Sequence, residues 1–201
     1  MASFRSSTSP IDSTSVGDPT RFRAFDDLEH GLAALPATAC ERGRVALIVR
    51  RRAGGRRQIV DRAALTAESG IPGDAWGRRD ERDLEKQLAT MQLDVARLIA
   101  NGQPLELFGD NLFLDLDLSV RNLPIGSRLR AGAVVFEVTP AAHNGCRKFR
   151  SRFGDDALRF VASPARRNRN FRGIYLRVVA AGELACGEAV EVLSRARPDG
   201  P

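Results

Sequence analysis

Ala133-Val134-Val135-Phe136-Glu137-Val138-Thr139-Pro140 runs through Ala141-Ala142 into His143-Asn144-Gly145-Cys146 and on into Arg147-Lys148-Phe149-Arg150-Ser151-Arg152-Phe153. The first six residues are rich in β-branched and aromatic side chains, the composition of a buried strand. The polar segment that follows is a loop. The residues after Cys146 read as the opening of a helix, and Asp155 as the N-cap of a helix through Val161.

The same short-strand pattern recurs on both sides of this stretch. Val45-Ala46-Leu47-Ile48-Val49 and Gln58-Ile59-Val60 are separated by an Arg-rich turn holding Gly54-Gly55, which predicts a hairpin with a solvated basic tip. Asn111 to Leu118 alternates, with Leu112, Leu114, Leu116 and Leu118 on one face and Asp115 and Asp117 on the other. Those two carboxylates share a strand face like an acid pair, but a solvated outer face explains them more simply. Gly173 to Val179 and Ala189 to Leu193 are two closing strands around a Gly-flanked turn. Helical spacing appears at Phe25, Leu28, Leu32 and Leu35, and again at Leu84, Leu88, Met91, Val95 and Leu98, which stops before Asn101-Gly102. Many short strands and few helices predict a mainly β fold with peripheral helices, a barrel or sandwich, and not alternating βαβ units.

Cys146 carries the chemistry of the central stretch. It follows a glycine at the end of a strand and loop, has His143 three residues back, and precedes two cations. Cations and a helix N-terminus both favour thiolate over thiol, which makes the sulfur a nucleophile and a soft metal ligand. Most free cysteines are small buried hydrophobes, but this one sits among polar and basic residues. His143 alone reads as a structural histidine; beside Cys146 it is a candidate proton donor or hydrogen-bond partner. Cys40 and Cys186 read as incidental.

At 201 residues the chain suits one domain. We read residues 1–22, rich in Ser, Thr, Pro and Asp, as a disordered tail, 23–194 as the domain, and 195–201 as a frayed end. No uncharged apolar run approaches the roughly 18 residues that cross a bilayer, so no membrane association is expected. An odd number of widely spaced cysteines, without a CxxC pair or a secretory leader, points to a reducing, cytoplasmic setting.

The formal charge is +6, and it is unevenly placed. Between Arg147 and Arg172 nine basic residues stand against Asp155 and Asp156, a net of +7, so the rest sums to −1. Such a stretch would serve a nucleic acid or one small phosphate-bearing molecule. Nucleic acid is disfavoured, since no docking helix, finger or aromatic platform accompanies it. The loop Gly70-Ile71-Pro72-Gly73-Asp74-Ala75-Trp76-Gly77-Arg78-Arg79 has two equal readings: a ligand cradle in which Asp74 and Arg78 meet polar groups, or a turn pinned by Trp76.

In order and spacing these motifs resemble the MOSC family, the domain at the C-terminus of molybdenum-cofactor sulfurases that also occurs as short stand-alone bacterial proteins. The resemblance rests on Gly70-Ile71-Pro72-Gly73-Asp74, Gly109-Asp110-Asn111-Leu112, Asn122-Leu123-Pro124-Ile125-Gly126, Glu137-Val138-Thr139-Pro140 with His143-Asn144-Gly145-Cys146, and Arg172-Gly173-Ile174-Tyr175 ahead of Gly182-Glu183. It implies a β-barrel of the pyruvate-kinase type with peripheral helices. It also implies a pocket around Cys146, with molybdenum cofactor (molybdopterin) as ligand. Cys146 would ligate the metal or carry sulfur as a persulfide, with His143 beside it. Gly73, Asp74, Arg78, Asn111, Asn144, Lys148 and Arg172 are then the candidate cofactor-binding residues.

Two activities are open on that resemblance, sulfur transfer and molybdenum-dependent reduction of N-hydroxylated substrates. The chain has no aminotransferase-like region and no recognisable pyridoxal phosphate site. Sulfur would therefore come from a cysteine desulfurase partner carrying that cofactor, and electrons from a separate electron-transfer protein. A polyanion-binding module built on residues 147–172, and an inert scaffold, are the readings in which the thiol plays no part.

Overall fold

The computed structural model describes residues 6–196. In chain order these form β1 (Ser6–Thr8), α1 (Phe25–Ala33), β2 (Arg42–Arg51), β3 (Arg57–Val60), β4 (Arg62–Leu65), β5 (Leu88–Gln92), α2 (Leu93–Ala100), β6 (Leu112–Leu114), β7 (Arg128–Ala131), β8 (Val134–Val138), α3 (Arg147–Ala162), β9 (Ile174–Ala180), β10 (Gly182–Ala185) and β11 (Ala189–Ser194). Seven strands close into a ring in the order β2, β11, β7, β8, β9, β5, β6 and back to β2. The β5–β6 pair is parallel and the rest antiparallel, so this is a closed, mixed β-barrel. Closure leaves no free edge in the ring. The β2–β3 hairpin projects from it with β1 paired to β3, and β4 and β10 form a separate ribbon.

Two cores follow from the period-two alternation of the strands. One takes a side chain from each of the seven ring strands, among them Ile48, Leu88, Leu112, Leu129, Phe136, Leu176 and Val190, and so fills the barrel interior. The other, outside the ring, joins Val49, Met91 and Phe113 to Leu28 of α1, Val95 and Ile99 of α2, and Phe149, Phe153 and Phe160 of α3. Neighbours on β6 thus serve opposite cores: Leu112 and Leu114 point in, Phe113 points out under the helices.

Several sequence expectations are corrected. The helical spacing from Leu84 is real only from Leu93; Leu88–Gln92 is a strand buried along its whole length. A strand covered on both faces loses its polar alternation, and its apolar residues fell by coincidence at helical intervals. The alternation at Asn111–Leu118 holds for Leu114–Leu118, but Asn111 and Phe113 are buried as well, and only Leu112–Leu114 pairs as a strand. The helix after Cys146 is broken at Gly154 (φ 90°, ψ 170°), and Asp155 pairs with Arg150 instead of capping.

Residues 1–5 and 197–201 lie outside the described residues, but the remainder of both expected loose ends is packed. Within the expected tail 1–22, β1 adds to β3, Ser9 donates to Glu106 at 2.8 Å, and the Gly17 amide donates to Ser151 at 3.1 Å. At the other end Arg195 bonds Asn122 and Glu41. Among the described residues no helix is long and apolar enough to cross a membrane.

Candidate functional site

The site begins with two buried carboxylates on loops beside the ring. Asp74 is 1% exposed and accepts from the Arg51 guanidinium, the Arg51 and Trp76 amides, and the Asn111 amide group. Burial pushes its carboxyl up, but the Arg51 guanidinium and the surrounding N–H donors outweigh it and hold it below the usual carboxylate range. Asn111, also fully buried, ties this node to β2 and β5 through Val49 and Ala89. Asp110 accepts from Arg172 at 2.9 and 3.1 Å and lies 3.5 Å from Nε2 of His143. Burial raises the Asp110 carboxyl, opposed by Arg172.

Above these groups opens a cavity of about 510 Å³. Of the nine residues the sequence singled out, Cys146, His143, Asn144, Arg78, Lys148 and Arg172 line it. Gly73, Asp74 and Asn111 do not. Asp74 and Asn111 are sealed and already hydrogen-bonded, so they position the loop and Arg51 and are not free to contact a ligand. Gly73 has φ +80° and offers its carbonyl to Arg78. Of the two readings of the Gly70–Arg79 loop, Asp74 and Trp76 follow the structural one, while Arg78 reaches the cavity.

Cys146 is exposed and sits at the N-cap of α3, in extended backbone (φ −135°, ψ 177°). His143 is nearly sealed, its ring 4.4 Å from that of Tyr175. Burial, followed by the charges of Arg172 and Arg51, drives its pKa well below the ordinary histidine value, so the imidazole is neutral. In that state it can serve as a hydrogen-bond partner but not as a proton source at neutral pH. Among the described residues its Nδ1 is buried without a partner. Cys40 is exposed but does not line the cavity, and Cys186 is half-buried, its thiol pushed up by burial.

Sequence reasoning missed much of the cavity's charge. Arg51 and Arg57 come from the hairpin whose turn reads as a solvated tip, yet Arg57 is only 6% exposed and both line the cavity. From the basic stretch only Lys148, Arg152 and Arg172 line it; Arg150, Arg159 and Arg166 pair with Asp155, Asp156 and Glu29. Tyr175 and Ser13 also line the cavity. Among the described residues no cluster of three or more His, Cys, Asp or Glu side chains is placed to hold a bare metal ion.

A closed mixed barrel that presents one exposed thiol at an arginine-lined cavity defines the class. The MOSC domain model matches residues 79–191, more than half of the chain, and the chain belongs to the MOSC domain family. Solved structures agree on the fold. The YuaD protein from Bacillus subtilis is 17% identical with a TM-score of 0.56, covering 75% of this chain and 95% of its own. A hypothetical protein of 21% identity also reaches 0.56, covering 78% of this chain and 70% of its own. YiiM from Escherichia coli is 22% identical with a TM-score of 0.51, covering 76% of this chain and 71% of its own. At these identities the likeness is one of fold. No curated protein matches the chain.

Proposed function

We propose that this MOSC domain protein binds a molybdenum–pterin cofactor in the Cys146 cavity, with the Cys146 sulfur as the protein's ligand to the metal. The observation that carries this reading is the exposed thiol opening on a cationic cavity of about 510 Å³, a size suited to a small organic cofactor. The donor set fits. A thiolate is a soft ligand for a thiophilic metal, and with no three-residue cluster among the described residues the metal would arrive already chelated. When bound, the cofactor would supply a redox-active metal centre.

The chain's own residues would hold and orient that group. Lys148 is exposed and would meet its anionic parts, and Arg78, exposed though it donates to the Gly73 and Arg51 carbonyls, would add its charge. Arg172 is engaged by Asp110, and with it fixes the floor beside His143. Neutral His143 would offer a hydrogen bond without adding charge. Reduction of N-hydroxylated substrates is the activity this arrangement would serve, with electrons from a partner protein.

Exposure of Cys146 at the cavity lining favours a second reading, sulfur carriage. The Cys146 thiolate would attack the terminal sulfur of a desulfurase persulfide, forming a new S–S bond as the donor cysteine leaves as its thiolate. The test uses one preparation with and without Cys146→Ser, measuring molybdenum, pterin fluorescence and alkylation-sensitive sulfane sulfur. Loss of metal and pterin supports the cofactor role, loss of sulfane sulfur the carrier role. Equal values in both proteins remove the thiol from either.

A further inference from the structure

Four buried or half-buried arginines line the cavity, and they fall into two pairs. Arg51 and Arg172 carry their own carboxylates, Asp74 and Asp110. Arg57 and Arg152, 6% and 3% exposed, have no carboxylate partner among the described residues. Among the described residues Arg152 donates only to backbone carbonyls, those of Leu107 at 2.7 Å, Ser13 at 3.0 Å and Ser15 at 3.2 Å. Arg57 donates to the Gly55 carbonyl at 2.8 Å, and its Nε is buried without a partner.

Both guanidinium groups converge on one point. A Cβ built on Gly109 would lie 3.1 Å from Nη2 of Arg57 and 3.6 Å from Nη1 of Arg152. Gly109, at φ +78°, has no side chain there and itself lines the cavity. Carbonyl oxygens satisfy N–H groups but supply no paired anion, and two cations side by side without one destabilise each other. Accordingly burial, then the neighbouring charges of Arg152 and Arg51, bring the Arg57 pKa down to about 10.

We propose that Arg57 and Arg152 form a seat for a tetrahedral dianion, a phosphate group, beside Gly109 in the Cys146 cavity. Nη2 of Arg57 is uncommitted among the described residues, and Nη1 of Arg152 keeps a second N–H beside its bond to Leu107, so each can donate to a phosphate oxygen, and a dianion matches two charges that no carboxylate pairs with directly. A single carboxylate would leave one fork unanswered. Part of the seat comes from outside the matched region 79–191: Arg57 on β3, and the Ser13 and Ser15 carbonyls of the N-terminal segment that hold Arg152. It stands whichever role Cys146 has. The phosphate would be either the terminal group of a bound cofactor or a free or substrate phosphate.

Calorimetric titration with inorganic phosphate tests it on the full chain freed of small ligands. Arg57→Gln should weaken binding about ten- to hundredfold, with Arg57→Lys in between because the charge stays and the fork is lost. Arg147→Gln removes an exposed cation from the same helix outside the cavity lining and should leave the affinity unchanged. Thermal melts of each variant establish that it is folded, and phosphate should raise the melting temperature of the wild type more than that of Arg57→Gln. Failure of the wild type to bind millimolar phosphate, or equal affinity in wild type and Arg57→Gln, overturns the seat. Repeating the titration on protein loaded with a phosphorylated pterin names the source: blocked binding assigns the phosphate to the cofactor, and retained binding to a separate anion. Because phosphate binding is read without metal or sulfur, its failure is distinguishable from failure of the thiol's proposed role.

Discussion

Arg172 gives both oxygens of Asp110 a hydrogen bond from a single nitrogen, Nη1, at 3.1 and 2.9 Å, with the carboxylate wholly out of solvent and the arginine 8% exposed. The guanidinium also lies over the Phe149 ring at 5.2 Å, so the pair links the cavity floor to α3. Breaking a buried pair from one side leaves a charge without compensation. Asp110→Asn is therefore expected to cost about 3–5 kcal/mol of stability, read as a lower denaturant midpoint. Adding Arg172→Gln to that variant should restore part of the loss, because the stranded charge goes with it.

His143 gives the fold a pH dependence whose sign is fixed by its surroundings. In the unfolded chain it takes up a proton near 6.5, whereas burial and two arginines keep the folded imidazole neutral to much lower pH. Below 6.5 the unfolded state therefore binds the extra proton, and stability falls as pH falls through that window. The contribution approaches about 1.4 kcal/mol per pH unit. Urea midpoints from about pH 7.5 to about pH 5.5 should drop more steeply in wild type than in His143→Gln; parallel curves would contradict a buried neutral histidine.

Much of this was readable from the residues, for identifiable reasons. The β2–β3 hairpin announces itself through two short apolar runs on either side of the Gly54-Gly55 turn. The cysteine loop was legible because a thiol, a histidine and cations lie within a few residues of one another. Strand β5 was not, since burial on both faces erases the pattern that distinguishes strand from helix. Arg57 and Arg152 were missed because β3 and α3 are 95 residues apart between those positions, and only closure of the barrel brings the two guanidinium groups to Gly109. The described part of the 1–22 segment makes backbone hydrogen bonds to β3 and α3, which need no apolar periodicity and so leave no mark in the sequence.

Gly154 holds the two halves of α3 at the angle that puts Phe149 and Phe153 on one side of the break and Phe160 on the other. Its φ of 90° lies where an L side chain is strained, and a Cβ there would meet the Phe22 ring at 3.0 Å. Gly154→Ala should lower stability by about 1–3 kcal/mol and disturb α3, on which both Cys146 and Arg152 depend. A thermal melt measures the first effect and weakened phosphate binding the second.

Accessibility separates the three thiols. Cys146 and Cys40 are exposed, while Cys186 is half-buried, sits 3.6 Å from the Val60 carbonyl and has its thiol pushed up by burial. Limited alkylation followed by peptide mass spectrometry should therefore label Cys40 and Cys146 first, with Cys186 about tenfold slower or more. Only Cys146 opens on the arginine cavity. A phosphorylated pterin filling that cavity should slow labelling of Cys146 and leave Cys40 unaffected, so that Cys40 serves as the internal reference for reagent and pH. Equal protection of both sulfurs would mean the ligand acts elsewhere on the chain, and rapid labelling of Cys186 would mean that the wall around the β4–β10 ribbon opens in solution.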